Sequence, residues 1–155
     1  MSQSIEAILA QKGIALPEPA TPAGSYVPVV ATGALLFVSG QLPMGPDGLQ
    51  YKGRCGDTIS LEDAQAAAGL CAVNILAQVK ASAGSLEKVA RIVKLTGFVN
   101  STQDFGDHPK VINGASDLML ELFGDKGRHA RAAVGVANLP FGASVEVEAV
   151  VEITP

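Results

Sequence analysis

Between Ser60 and Gly84 the chain reads LEDAQAAAGLCAVNILAQVKASA, and this stretch constrains the fold more than any other. Ser60 is suited to cap a helix N-terminus, Asp63 stands in the first turn, and good helix formers continue until Gly84. Leu61, Ala64, Ala68, Cys71, Ile75 and Val79 recur every three to four residues along one face. Side chains this small let that face lie close against a sheet, so the rest of the chain has to supply one.

The strands are there to be read. YVPVVAT and ALLFVSGQLP flank a turn at Thr32-Gly33 and predict a hairpin. MGPDG is a further turn, followed by a loop through YKGRCGDT. VARIVKLTGFVN alternates as a strand, and a second amphipathic helix runs from about Pro109 to Phe123, stopped by Gly124. The last two strands come from ARAAVGVANLPFGASVEVEAV. The Leu-Pro-Phe-Gly turn between them would put Arg131 and Glu146 on neighbouring strands. At the N-terminus, residues 4–12 read as a short amphipathic helix, and the Pro-rich ALPEPATPAG as an extended arm.

Strand, strand, helix, strand, helix, strand, strand is the pattern of a two-layer α+β sandwich with both long helices on one face of the sheet. A single domain over residues 1–155 is expected, with 1–24 as an N-terminal extension. The other sheet face carries valines and alanines and has no helix to cover it. With 48% hydrophobic and only 17% charged residues, a second copy of the chain is the natural cover.

Several partners are not expected. Net charge is −4, and the eleven Lys and Arg are scattered with no basic cluster, so no nucleic-acid partner is anticipated. No apolar run reaches the roughly 18–20 residues of a membrane span. The N-terminus carries Glu6 early and lacks a basic region before an apolar one, which reads against a secretory signal. Cys55 and Cys71 fit neither a metal spacing nor a disulfide framework, and free thiols point to a cytoplasmic protein. His108 and His129 are too few and too far apart for a zinc motif. With no Gly-rich phosphate loop and no Ser–His–Asp signature either, neither metal nor cofactor is expected.

Alternation puts Glu146, Glu148 and Glu152 on one strand face and Val145, Val147, Ala149, Val151 and Ile153 on the other. Arg131 and Ala133 likewise share a face. Two readings stay open. The charges could be a solvated face or a cross-strand ion pair. Alternatively, Arg131 could clamp a carboxylate through paired hydrogen bonds, with Glu146 activating a water. Gly40, in a Ser-Gly turn, could admit a ligand to the backbone or simply mark a bulge. For His129, two residues before Arg131, a satisfied or exposed histidine is the ordinary reading.

LLFVSGQLP, the Ala-rich helix with Asn74, VKLTGFVN followed by Asp104-Phe105, and ARAAVGVANLPFGASVEVEAVVEI resemble, in order, the RidA/YjgF family. Its members also carry the labels endoribonuclease L-PSP and translation inhibitor. The resemblance covers about residues 24–154 and implies a chorismate-mutase-like α+β fold. It also implies a homotrimer with ligand sites between subunits, and hydrolysis of reactive enamines and imines such as 2-aminoacrylate to 2-keto acids and ammonia. By the same resemblance Arg131 grips the substrate carboxylate, that of an imino or keto acid, and Glu146 orients water. A backbone amide at Gly40 meets the ligand, and Ser39, Tyr26 and Asn113 fall at site positions. Ala133, a substrate-binding position through its backbone by the same resemblance, stands where many deaminating members have a cysteine, and Ser116 replaces a usual aromatic. A non-catalytic trimeric carboxylate binder and an RNA-cleaving enzyme are the alternatives. The acidic charge and the lack of a His or Lys cluster argue against the second.

Overall fold

The computed structural model describes residues 3–155; Met1 and Ser2, part of the extension read from the sequence, lie outside the described residues. In chain order the elements are α1 (Ile5–Gln11), β1 (Val29–Thr32), β2 (Leu35–Gln41), β3 (Met44–Gly45), β4 (Gly48–Leu49), α2 (Leu61–Ala83), β5 (Val89–Asn100), α3 (His108–Phe123), β6 (Ala130–Val136) and β7 (Val145–Ile153). The main sheet runs β1-β2-β7-β5-β6, and β3 and β4 form a separate two-stranded ribbon. Only the β5–β6 pair is parallel.

The local signals read from the sequence act as expected at most boundaries. Ser60 Oγ accepts from the Asp63 amide, and Gly84 ends α2 in the left-handed conformation that glycine adopts without a Cβ clash. The first hairpin turns one residue later than expected, over Gly33 and Ala34, because Thr32 already pairs with Leu35. Gly33 supplies the positive φ, +56°, that a two-residue hairpin loop needs at its first position. Tyr26 stands outside β1, since Pro28 lacks the N–H a strand would use.

α2 lies on the sheet through Ala64, Ala68, Cys71, Ala72, Ile75, Leu76 and Val79, all without exposed surface. The helix is 23 residues long and contains an 18-residue window with a mean hydropathy of 1.3, enough by length and composition to cross a membrane. Its apolar surface is accounted for by the sheet and α3, against which two-thirds of the window is buried. α3 crosses α2 where Gly114 has no side chain. A Cβ there would come within 2.0 Å of the Gln65 carbonyl oxygen. Since neither backbone can yield without moving a helix, Gly114→Ala is expected to destabilise by about 1–3 kcal/mol or more, read as a lower urea midpoint at unchanged m-value.

The strand order corrects one expectation. β6 and β7 are not neighbours, because β5 runs between them. The crossover through α3 lays β6 parallel to β5 along one edge, and the chain then passes through Leu139–Ala143 to reach the other edge of β5 with β7. Leu95 is opposite both Arg131 and Ala149, while Phe98 is opposite both Val134 and Glu146. Leu95 and Ala149 belong to the core under the helices, so Arg131 projects to the helix side. Glu146 projects to the opposite, uncovered face. That face also carries Val30, Phe37 and Val134, all exposed.

Candidate functional site

The expected site residues fall into two groups on opposite faces of the sheet. Tyr26, Ser39, Gly40 and Glu146 line a cavity of about 470 Å³. Its other walls are Ala20–Ala23 of the extended arm, Pro28, Gln41, Leu42, Met44, Pro140 and Phe141. Arg131 and Ala133, on β6 at the sheet edge, and Asn113, on α3, are on the helix side.

The cavity begins with a fault in the sheet. Val38 pairs with Ala149 and Gln41 with Val147, so Ser39 and Gly40 together oppose the single residue Glu148. This is a β-bulge, a device that re-aims side chains beside sites. Gly40 serves a purpose the sequence did not suggest. A Cβ at Gly40 would lie 2.6 Å from Glu146 Oε1, so the glycine is the space the carboxylate occupies. Half-buried there, the Glu146 carboxyl has its pKa raised, first by loss of water and then by the charge of Glu148 two residues on. Among the described residues no hydrogen bond reaches that carboxylate.

Two buried amides brace the cavity. Asn74 Nδ2, on α2, donates to the carbonyls of Leu42 and Met44 as well as Leu70. Gln78 Nε2, one turn on, donates to Ala20 O at 3.0 Å and ties the arm to the helix.

The second group is a chain of hydrogen bonds ending in a guanidinium. Arg131 Nη1 donates to Asn113 Oδ1 at 2.7 Å and to Ser116 Oγ at 3.2 Å. Ser116 Oγ is 2.8 Å from His129 Nε2, and His129 Nδ1 is 2.6 Å from Gly127 O. The Gly127 carbonyl can only accept, so His129 Nδ1 is the donor there. Arg131 can only donate, so the Ser116 hydroxyl hydrogen goes to Nε2. Among the described residues no carboxylate pairs with Arg131, and its Nε–Nη2 edge is left unused. A side chain held by one nitrogen with the other edge free is arranged to take an incoming carboxylate side-on. His129 is therefore a satisfied histidine, and its partner is the serine on Arg131.

This chain of bonds makes a prediction that separates the two ring nitrogens. His129→Gln places an oxygen near the Nε2 position and is expected to keep carboxylate affinity within about threefold, whereas His129→Asn, which retains only the Gly127 contact, loses about tenfold. Titration of 2-oxobutanoate by calorimetry reads both.

Among the described residues no three His, Cys, Asp or Glu side chains converge. Cys55 and Cys71 are buried free thiols, and burial raises the pKa of both.

These features define a class: an α+β protein with an open guanidinium edge on one side of a mixed sheet and a carboxyl of raised pKa in a cavity on the other. The chain matches the family described as "YjgF/chorismate mutase-like, putative endoribonuclease" over residues 6–153. It belongs to that family. Protein TCP17 of Trypanosoma cruzi is 49% identical, with 98% of this chain and 96% of that protein covered. A 2-iminobutanoate/2-iminopropanoate deaminase of Dermatophagoides farinae is 32% identical over 90% of this chain and 94% of its own length. The crystal structure of protein Atu1372 from Agrobacterium tumefaciens superposes with a TM-score of 0.91 at 52% identity, covering 97% of this chain and 92% of that one.

Proposed function

We propose that this protein hydrolyses 2-imino acids and their enamine tautomers to 2-keto acids and ammonia, at sites formed between copies in a homotrimer. One observation carries the reading. Arg131 and Glu146 lie on opposite faces of one sheet, and among the described residues no Lys, Arg or His lines the Glu146 cavity. Within one chain neither half can both hold a carboxylate and direct a water. Two copies packed so that the β6 edge of one faces the cavity of the next bring both together, and they also cover the exposed Val30, Phe37 and Val134.

In such a site the Nε–Nη2 edge of Arg131 takes the substrate carboxylate. Ionised Glu146 accepts a proton from water as its oxygen attacks the imine carbon, and the C=N π pair moves to nitrogen. Glu146 returns that proton to the nitrogen to give the carbinolamine, then takes the hydroxyl proton and passes it on to the nitrogen, so the C–N bond breaks and ammonia leaves as the carbonyl forms. A carboxyl with a raised pKa suits both steps, because it accepts a proton more readily than an ordinary glutamate and can return it. Arg131 and its bracing keep the electrophilic carbon in place, the contribution positioning makes. The named deaminase among the relatives supports this reaction class.

A dehydratase that generates 2-aminoacrylate or 2-aminocrotonate supplies the test. Added protein is expected to speed 2-keto acid release, and Arg131→Ala to abolish the gain. Equal release with and without protein would refute the reading. Light scattering is expected to give three times the chain mass of 15.8 kDa, and a monomer would remove the interface site.

A further inference from the structure

We propose that the cavity beside Glu146 receives a large apolar or aromatic side chain, so that the preferred substrates are 2-imino acids bulkier than 2-aminoacrylate. The inference rests on the deaminase reading and assigns it a substrate class. Among the described residues no cation lines the cavity, so the carboxylate end of a substrate is held elsewhere, and what enters the cavity is the rest of the molecule. That space is about 470 Å³, and its walls include the large apolar or aromatic side chains of Tyr26, Leu42, Met44 and Phe141 together with Pro28 and Pro140. Pockets of this size and lining take ligands well beyond a three-carbon imine. Glu146 lines the same space, so the reacting carbon sits beside its carboxylate and the side chain takes up the rest of the cavity.

Phe141 points to the same conclusion independently. It is 69% exposed, an uncommon state for a phenylalanine, and its backbone is in the left-handed region at φ 60°, ψ 15°. Non-glycine residues rarely occupy that region, and when they do they cluster at ligand sites. Here it puts an aromatic ring at the rim of the cavity with no core to fill. The walls are also prebuilt. Gln78 holds Ala20 of the arm, and Asn74 holds Leu42 and Met44, so a side chain entering the cavity orders little that is not already ordered.

An amino-acid oxidase supplied with alanine, leucine, methionine or phenylalanine generates imines that differ only in the side chain. The kcat/KM for the leucine- and phenylalanine-derived imines is expected to exceed that for the alanine-derived one by at least about tenfold. Phe141→Gly, which removes the ring and relieves the backbone, is expected to shrink that ratio several-fold. An active wild type with a ratio near one, or a ratio untouched by Phe141→Gly, overturns the substrate class while leaving the deaminase reading in place. If no imine is accelerated, the deaminase reading fails and the pocket is read by thermal unfolding with pyruvate, 4-methyl-2-oxopentanoate and phenylpyruvate. Greater stabilisation by the larger acids, lost in Phe141→Gly, upholds the pocket. Equal stabilisation overturns it.

Discussion

Arg131→Ala and Glu146→Gln, each inactive alone, are expected to restore activity when the two variants are unfolded together, mixed and refolded. The argument is geometric. β5 separates the strands that carry the two residues, and their side chains leave the sheet on opposite faces. A site between copies then draws its arginine from one chain and its glutamate from the next. In random one-to-one assemblies, about one quarter of the sites pair the intact arginine of one variant with the intact glutamate of the other, so about a quarter of wild-type activity returns. A site contained within a single chain would return none. The singles should fall far first. Loss of a charge-assisted pair at Arg131 costs about 10- to 100-fold in carboxylate affinity, and loss of a general base about 10²- to 10⁴-fold in rate.

The second large effect concerns Glu146 and pH. Its pKa in the fold is raised by burial and by Glu148, so the folded protein binds this proton more tightly than the unfolded chain does. The stability associated with the protonated group is present in full below the ordinary glutamate range and is lost as pH rises through the raised value. Glu146→Gln keeps a neutral side chain at every pH. It is therefore expected to melt higher than wild type at pH 7, with the gain disappearing in acid, even as activity collapses. A variant both more stable and inactive is the signature of a carboxylate kept at a cost for chemistry. Because the base must be ionised, the acid limb of the pH–rate profile is expected above the ordinary glutamate range. Glu148→Gln should move it down by removing the nearby like charge. An acid limb unmoved by Glu148→Gln would contradict that origin.

Much of this architecture was legible in the sequence because its signals are local. The caps at Ser60 and Gly84 and the periodicity of α2 and α3 specify helices without reference to the rest of the chain. Alternation in β7 assigns Glu146 and Val147 to their faces. What alternation cannot say is which strand lies alongside. A turn between two strands invites a hairpin, and only the twelve residues of β5, with both edges available, reveal that β6 and β7 are kept apart. The resemblance picked out Arg131, Asn113, Tyr26, Ser39, Gly40 and Glu146, but the division into two groups emerged from the pairing. Ala133 shares the Arg131 face and packs against the core. Ser116 and His129 join Arg131 only because α3 crosses β6 where it does, a contact with no sequence signature. The Pro-Phe-Gly turn was visible, but not the positive φ that presents Phe141.

The segment Leu139–Ala143, which carries the chain past the end of β5, has a further consequence. In the proposed trimer it ties the arginine of one site covalently to the glutamate of another, so each polypeptide would be shared between two neighbouring reaction centres. In a cell producing a mixture of intact chains and chains lacking both residues, each defective copy would silence both centres it serves. Such an allele would act dominantly, reducing activity by more than its share of the protein made.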